Sequence, residues 1–499
     1  MSRDHTPLRV LLEMRPTLEG HTGLAQVCRL LFRGLSQLPG VQVEGLLQSA
    51  ELLLAPGLPT SAAAERMRTN ERFDRLGGVV VALEAEPARI PWRTATRTIG
   101  MAFRHLFGGS ERLTRFDASH YQDFLWRKFF AQTLPAADYD LVTHGAFRIA
   151  RIPWNAMHIC ALVTRKMGHA MFPRLDTADF DVMIVETPYP GSVSKRTQLV
   201  VHYHDALPML MPHTISKQRF HQAFHYRALR KNVASDAWFV CVSDATRNDL
   251  LSIFPQLSNR SVTIHNVVSH DYFDEPSQPQ RVPQIVAARL NTKVEPPLGR
   301  KFQRELFAGR TAHAAPFDFL FMVSKMEPRK NHLALLSAWE KLRSEGFPAL
   351  KLVVVGPLGQ RHQGVIRRFY PWLERGEAFV LEDLTPAELR VLYKHARATV
   401  CPSLGEGFDF SGVEAMKSGG AVVASSIAAH TEIYADAAEF FNPYSVQDLV
   451  RAVRSVIEPA NATRRAELVA RGGEVAKRYD SELIMPRWQA FLESLARPR

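Results

Sequence analysis

PSLGEGFDFSGVEAMKSGG, residues 402–420, is the stretch that decides the fold. It follows the apolar run ATVCPS at 398–403, and its second half, VEAMK, has the composition of a helix start. A buried strand that ends in a Gly-containing turn and re-enters a helix is the repeating unit of parallel α/β sheets. Such a turn exposes backbone N–H groups and the positive end of a helix dipole, which suits a diphosphate. Glu406 lies in the turn and Glu414 lies eight residues later, on the helix. A carboxylate accepts well from vicinal hydroxyls, so one glutamate suits a sugar and the other a ribose.

Outward from this segment the chain repeats the pattern. Short runs rich in Val, Leu and Ile stand at 8–14 (LRVLLEM), 182–186 (VMIVE), 199–204 (LVVHYH) and 237–243 (AWFVCVS). Others follow at 319–324 (FLFMVS), 351–356 (KLVVVG), 378–383 (AFVLED) and 421–425 (AVVAS). Runs this short and continuous predict parallel strands covered by helices on both faces. The expected fold class is α/β, with two doubly wound Rossmann-like domains. The first covers residues 1–275 and the second 317–478, joined over 276–316 where Pro, Gln and acidic residues accumulate. The amphipathic stretch at 479–499 predicts a helix, with Pro486 marking a kink or its first turn.

The composition sets outer limits. Of 499 residues, 46% are hydrophobic and 22% charged, which is globular and excludes wholesale disorder. A formal net charge of +12 favours an anionic partner, and nucleotide diphosphates, acidic lipids and nucleic acid all qualify. No nucleic-acid motif accompanies that charge, so a nucleic-acid partner is not expected. Neither G-x-G-x-x-G nor a phosphate-loop lysine occurs. Cys28, Cys160, Cys241 and Cys401 are dispersed, without metal-ligand spacing, and should be buried thiols. No run approaches the ~18 apolar residues of a membrane span, and the start MSRDHTPLRVLLEMRP lacks a signal-peptide core. A cytoplasmic protein is expected. Asp138-Tyr139-Asp140 and Asp179-Phe180-Asp181 read D-x-D, but each precedes a strand-like run and should lie in a loop, so no catalytic metal is expected. In residues 89–115, Trp92, Ile99, Phe103 and Leu106 share one helical face, and Arg93, Arg97 and Arg104 another. That pattern suits either packing on the domain core or peripheral contact with an anionic membrane surface.

Taken in order, these segments resemble the group 1, family-4 retaining glycosyltransferases, as found in bacterial polysaccharide and O-antigen assembly. EGFDFSGVEAM at 406–416 is similar to the family's E-G-F-G-x-x-x-x-E-A-M, and MEPRKNHLALLSAWEKL at 326–342 to its E-P-R-K-N segment. LVVVGPLG at 352–359 and LEDLTPAELRVLYKHARATVCPSLGEGF at 381–408 fall in the matching order. So do the turn at 19–26, VVHYHDALPMLMPH at 200–213, VSDATRNDLLSIFP at 242–255 and TIHNVV at 263–268.

The resemblance implies the GT-B fold, two domains facing a central cleft, with the last helix crossing back to the first domain. It assigns Lys330 to the diphosphate, Arg329 beside it, Glu406 to the donor sugar and Glu414 to the ribose. Gly407, Phe408, Asp409, Phe410 and Ser411 should face sugar and phosphates, and Asp383 and Leu384 the base. Gly20, Gly23 and Ser324 should line the donor site, and His204 should touch the sugar, while His202 is expected to be structural. The implied partners are a nucleotide-diphosphate sugar (GDP-mannose, dTDP-rhamnose or a UDP-sugar) and a glycan or lipid-linked glycan acceptor. No cofactor is implied, and attack is on the same face of the sugar. A chain of this fold that only binds sugar nucleotides is the alternative. Two departures stand out: Asp409 replaces the usual Gly, and Val323-Ser324 replaces Gly-Arg or Gly-Thr. Asp409 places a further carboxylate near the sugar and leaves the donor's identity open.

Overall fold

In the computed structural model, which describes residues 7–20, 22–60, 64–85, 100, 109–165, 171–214, 218–291, 315–359 and 362–495, the apolar runs form two parallel sheets. The strands of the first half are β1 (Leu8–Glu13), β2 (Val41–Leu47), β3 (Glu111–Arg112), β4 (Thr114–Phe116), β5 (Ala146–Ile149), β6 (Leu175–Asp176), β7 (Val182–Val185), β8 (Gln198–Tyr203), β9 (Trp238–Cys241) and β10 (Ser261–Thr263). Eight of them form one sheet in the order β10-β9-β8-β7-β1-β2-β5-β4, parallel except for the β4–β5 edge, and β3 pairs separately with β6. The second half contributes β11 (Phe319–Val323), β12 (Lys351–Val355), β13 (Ala378–Leu381), β14 (Ala398–Cys401), β15 (Val422–Ser425) and β16 (Ala438–Phe441), in the order β13-β12-β11-β14-β15-β16.

Each sheet is buried on both faces, as continuous apolar strands require. Val10, Leu12, Val182, Ile184 and Val200 line one side of the first sheet; Leu11, Met183, Leu199 and Val201 line the other. Phe319, Phe321, Val353 and Leu381 oppose Leu320, Met322, Leu352 and Val380 in the second. β2 escaped the sequence pattern because Glu44 interrupts it. That carboxylate is buried between Arg9 at 2.7 Å and Arg148 at 2.6 Å. Burial opposes its charge, yet the two guanidiniums hold it below the usual carboxylate range.

The order of the strands decides where a ligand can sit. In the first sheet the chain builds outward from β1 on one side and then from β7 on the other; in the second it does so from β11 and β14. Crevices open beyond the carboxyl ends of strands at such reversals. The C-terminal helix Ser481–Leu495 crosses back: Ile484, Met485, Trp488, Phe491 and Leu492 join the core of the first sheet. Pro486 lies inside this helix rather than in its first turn.

Residues 281–288 of the expected connection form a helix whose Val282, Ile285 and Val286 pack into the second domain's core. Residues 292–314 of that connection and most of the amphipathic stretch at 89–115 lie outside the described residues. All four cysteines are buried. No helix among the described residues is long and apolar enough to cross a membrane. Asp138 and Asp140 lie in short helical segments rather than the expected loop; Asp138 pairs with Arg33 at 2.7 Å, and Asp181 accepts from the Arg9 backbone N–H at 2.9 Å.

Candidate functional site

The second reversal brings the loop after β11 against the loop after β14. Pro328–Lys330 form a short turn, and Asn331 takes φ 59°, a left-handed conformation that asparagine tolerates, before the helix His332–Ser344 begins. This turn delivers Arg329 and Lys330 to one carboxylate. Arg329 Nη1 lies 2.7 Å from Glu406 Oε2, and Lys330 Nζ lies 2.6 Å from Glu406 Oε1. The Glu406 side chain is 5% exposed. Burial would favour its neutral form, but the two cations outweigh it and keep the carboxyl below its ordinary range. Leu404 N–H donates to the Arg329 carbonyl at 2.8 Å, so the two loops are also tied through the backbone. Ser324, at the end of β11, is turned toward His332 Nε2 at 3.1 Å.

Asp409 departs from the expectation. Its Oδ1 accepts from the Ser411 backbone N–H at 3.2 Å and the Ser411 hydroxyl at 2.7 Å, capping the helix Phe410–Lys417. Its Oδ2 lies 3.3 Å from His430 Nε2. Burial opposes the charge, but His430, Lys330 and Ser411 hold this carboxyl far below the usual range. An Asp at an N-cap satisfies an N–H that the helix leaves orphaned, and here the cap also meets a buried imidazole. The carboxylate expected to face the sugar is therefore spent inside the loop, and the Ser411 N–H expected to face phosphate is already bonded. Phe408 and Phe410 pack on each other with ring centroids 5.0 Å apart.

Glu414 sits at the seam of the two domains. It accepts from Gln26 Nε2, on the first domain's helix Gly23–Gln37, at 3.1 Å, and from the Tyr393 hydroxyl at 3.1 Å. Burial dominates and pushes its carboxyl up to about 7. Gly20 takes φ 74° in the turn before that helix, Gly23 is its first residue, and Gly23 lies beside the Phe410 ring. Asp383 is exposed with φ 57°, followed by half-buried Leu384 and the capping box that starts the helix Pro386–His395. Left-handed non-Gly residues cost strain and gather at ligand-binding turns.

At the first reversal lies a cluster that the sequence reading half missed. Glu186, one residue past β7, is fully buried, and its Oε2 is shared by His202 Nδ1 at 3.0 Å and His204 Nε2 at 2.8 Å. Burial disfavours its charge, yet the two imidazoles hold it at about 2. Its backbone N–H donates to Glu13 Oε2 at 3.1 Å, at the end of β1, and Arg15 Nε pairs with Glu13 Oε1 at 2.7 Å. His202 is thus structural as expected, but it shares its partner with His204. The signal available in the sequence was a glutamate closing each of two apolar runs, LRVLLE and VMIVE, because a lone charge there must find a partner. Among the described residues, Glu186, His202 and His204 are the group whose ligand-type atoms lie within 4.8 Å of one another.

The two clusters meet. A Cβ at Gly407 would overlap the His204 carbonyl oxygen, so only glycine allows this approach. The Ser243 hydroxyl donates to the Gly407 carbonyl at 2.7 Å. Across the same seam, Glu432 accepts from the Asp244 and Ala245 N–H groups at 2.7 and 2.8 Å, at the N-terminus of the helix Asp244–Ile253, and from His265 Nε2 at 2.8 Å. An anion at a helix N-terminus is a favourable pairing, and hydrogen bonds to a charged group are worth about 1.5–3 kcal/mol each. Glu432→Ala should therefore loosen domain closure. Small-angle X-ray scattering should show a larger radius of gyration with one cooperative melting transition retained; an unchanged radius would mean that Gln26–Glu414 and Ser243–Gly407 suffice.

Comparison with known proteins bears on the fold. Residues 304–472 match the family described as Glycosyl transferases group 1. The chain is 23% identical over 258 residues to the serotype-specific mannosyltransferase WbdA of Escherichia coli, covering 51% of this chain and 28% of that protein. It is 25% identical over 283 residues to the O-antigen chain mannosyltransferase B of Escherichia coli, covering 57% of this chain and 67% of that one. The chain thus spans well under half the length of WbdA. Among solved structures, sucrose-phosphate synthase from Thermosynechococcus elongatus superposes with a TM-score of 0.57 at 14% identity, over 98% of this chain and 99% of the other. Anabaena HepE in complex with UDP and glucose gives 0.53 at 14% identity, over 98% and 100%. The fold is GT-B.

Proposed function

We propose that this chain, whose residues 304–472 match the group 1 glycosyl transferases, moves a hexose or deoxyhexose from a nucleotide-diphosphate sugar to a hydroxyl of a glycan or lipid-linked glycan, with retention. The observation that carries the reading is the convergence of Arg329, Lys330 and Glu406 at one reversal, against His204 and Glu186 at the other. Two cations beside a carboxylate suit a substrate with a diphosphate at one end and hydroxyls at the other. As the sugar–phosphate bond breaks, charge builds on the leaving diphosphate, and Lys330 and Arg329 stand ready to stabilise it without reorganisation. Glu406 accepts from the sugar hydroxyls and Glu414 from the ribose, while Asp383 and Leu384 flank the base. Same-face attack, with the departing phosphate taking the acceptor's proton, needs no enzymic nucleophile. These cations supply the charge that a metal would bring, so transfer should persist in EDTA. The setting is polysaccharide assembly in the cytoplasm; the names of the similar mannosyltransferases make GDP-mannose the first donor to try.

The test is thermal shift with GDP-mannose, dTDP-rhamnose and UDP-glucose, followed by transfer assays with the best binder. A ligand at 100 times its Kd adds about 2.7 kcal/mol of stability, and the absence of any shift with all three donors would sink the proposal. The shift should grow between pH 6 and pH 8, because Glu414, held at about 7, must be ionised to accept from both ribose hydroxyls. Each shift is taken relative to the ligand-free protein at the same pH. Glu414 is raised above its unfolded value, so its contribution to stability is full below about pH 4.5 and is lost as pH rises through about 7.

A further inference from the structure

Glu186 has no contact of its own with the substrates of the proposed transfer, yet it is buried at the centre of the first reversal and bonded to His204. An ionised carboxylate only accepts, so both rings must donate to Oε2: His202 through Nδ1 and His204 through Nε2. His202 Nε2 has no hydrogen-bond partner and its ring meets Trp488 at 5.2 Å. An unpartnered lone pair there is cheaper than an unpartnered N–H, which makes His202 the neutral Nδ1–H tautomer. Burial agrees, lowering the tendency of His202 to take a second proton. His204 differs in being 18% exposed. With Nε2 committed to the buried glutamate, Nδ1 is the ring atom left for a ligand. The His204 backbone is fixed too, because its carbonyl seats Gly407 of the donor loop.

Resting on the transfer reading above, we propose that Glu186 is the positioning residue for His204: it accepts the hydrogen bond from Nε2–H, fixes the imidazole tautomer, and leaves Nδ1 to meet the transferred sugar. His202 is the second donor that anchors the carboxylate. Glu13 steers the arrangement from the other side by accepting the Glu186 backbone N–H. The charged and titratable neighbours are therefore Glu13 with Arg15 on β1 and its following turn, His202 on β8 and the buried Cys28 thiol.

Glutamine at 186 keeps the volume and one oxygen within reach of both rings, but it removes the negative charge that holds their N–H groups and puts a donating amide where Glu186 Oε1 meets no partner. Glu186→Gln should lower kcat about 100-fold, the scale of a misplaced contact group, with the donor KM within about threefold. Glu186→Gln combined with His204→Gln should cost no more than His204→Gln alone; additive losses would overturn the proposal. A direct reading needs no activity. In long-range 1H–15N spectra of 15N-histidine-labelled protein, assigned by the signals missing in His204→Gln, His204 should be protonated at Nε2 and unprotonated at Nδ1. The opposite tautomer would overturn the proposal, as would loss of wild-type transfer in EDTA, which would give the trio to a metal. If the wild-type protein transfers no sugar at all, the function has failed, and the tautomer still decides the role of Glu186.

Discussion

Lys330→Ala should lower transfer from the nucleotide sugar by about 10³-fold while the protein still melts cooperatively. The effect follows from where the ammonium stands. It ends the turn Pro328–Lys330 with its side chain 14% exposed, 2.6 Å from Glu406, within a largely desolvated crevice where charge acts strongly. Removing one preorganised group that stabilises transition-state charge typically costs about 10²–10³ in rate. A full cation facing a leaving diphosphate belongs at the upper end. The fold should survive because Glu406 keeps Arg329 at 2.7 Å. Lys330→Arg should not restore the rate, since a planar guanidinium fork cannot take the place of a compact ammonium. Stopped assays of transfer beside a melting curve check this. A rate within tenfold of wild type would remove Lys330 from the mechanism.

Glu406→Gln should separate the two halves of donor recognition. The substitution is nearly isosteric and removes the carboxylate that Arg329 and Lys330 share, leaving Arg329 its pairing with Glu327 at 3.4 Å. Lys330 then becomes available for phosphate while Arg329 keeps Glu327 and the Gly405 carbonyl, so the nucleoside diphosphate should bind about tenfold more tightly, on the scale of one hydrogen bond to a charged group. Turnover should nevertheless fall by about 10²–10³-fold, because the acceptor for the sugar hydroxyls is lost and the sugar is no longer held for same-face attack. Calorimetric titration with GDP, UDP and dTDP, set beside kcat, reads both effects. Weaker diphosphate binding would show that Glu406 organises the two cations rather than competing for them. Unchanged turnover would take Glu406 out of sugar recognition.

Asp409 shows where a motif stops informing. Its position in the loop was legible, and a third carboxylate near a sugar was a fair reading of the residue type. What turned it inward was Ser411, whose N–H needs a cap, and His430, which lies on a separate helix following β15. The donor question therefore does not turn on a free Asp409 carboxylate. Glu186 teaches the converse: it was quoted within VMIVE as part of a strand, and only its burial against two imidazoles revealed a role.

The sequence by itself determined the two parallel sheets and the candidate donor loop. Apolar runs of a few residues, Gly-containing turns and helix starts are local signals, and burial on both faces writes them into consecutive residues such as LVVV or VMIV. Strand β2 was lost to that reading because Glu44 breaks its run and finds Arg9 and Arg148 only in space. The tertiary structure alone decided the partners: Lys330 for Glu406, Glu186 for His204, His430 for Asp409, and Gln26 for Glu414. The first depends on β11 and β14 lying side by side where the second sheet reverses its order, the second on β7 lying beside β8, and the other two on helix packing and domain closure. No spacing along the chain encodes them, because a charged side chain takes its role from the partner that repays its desolvation, and that partner comes from another element of the fold.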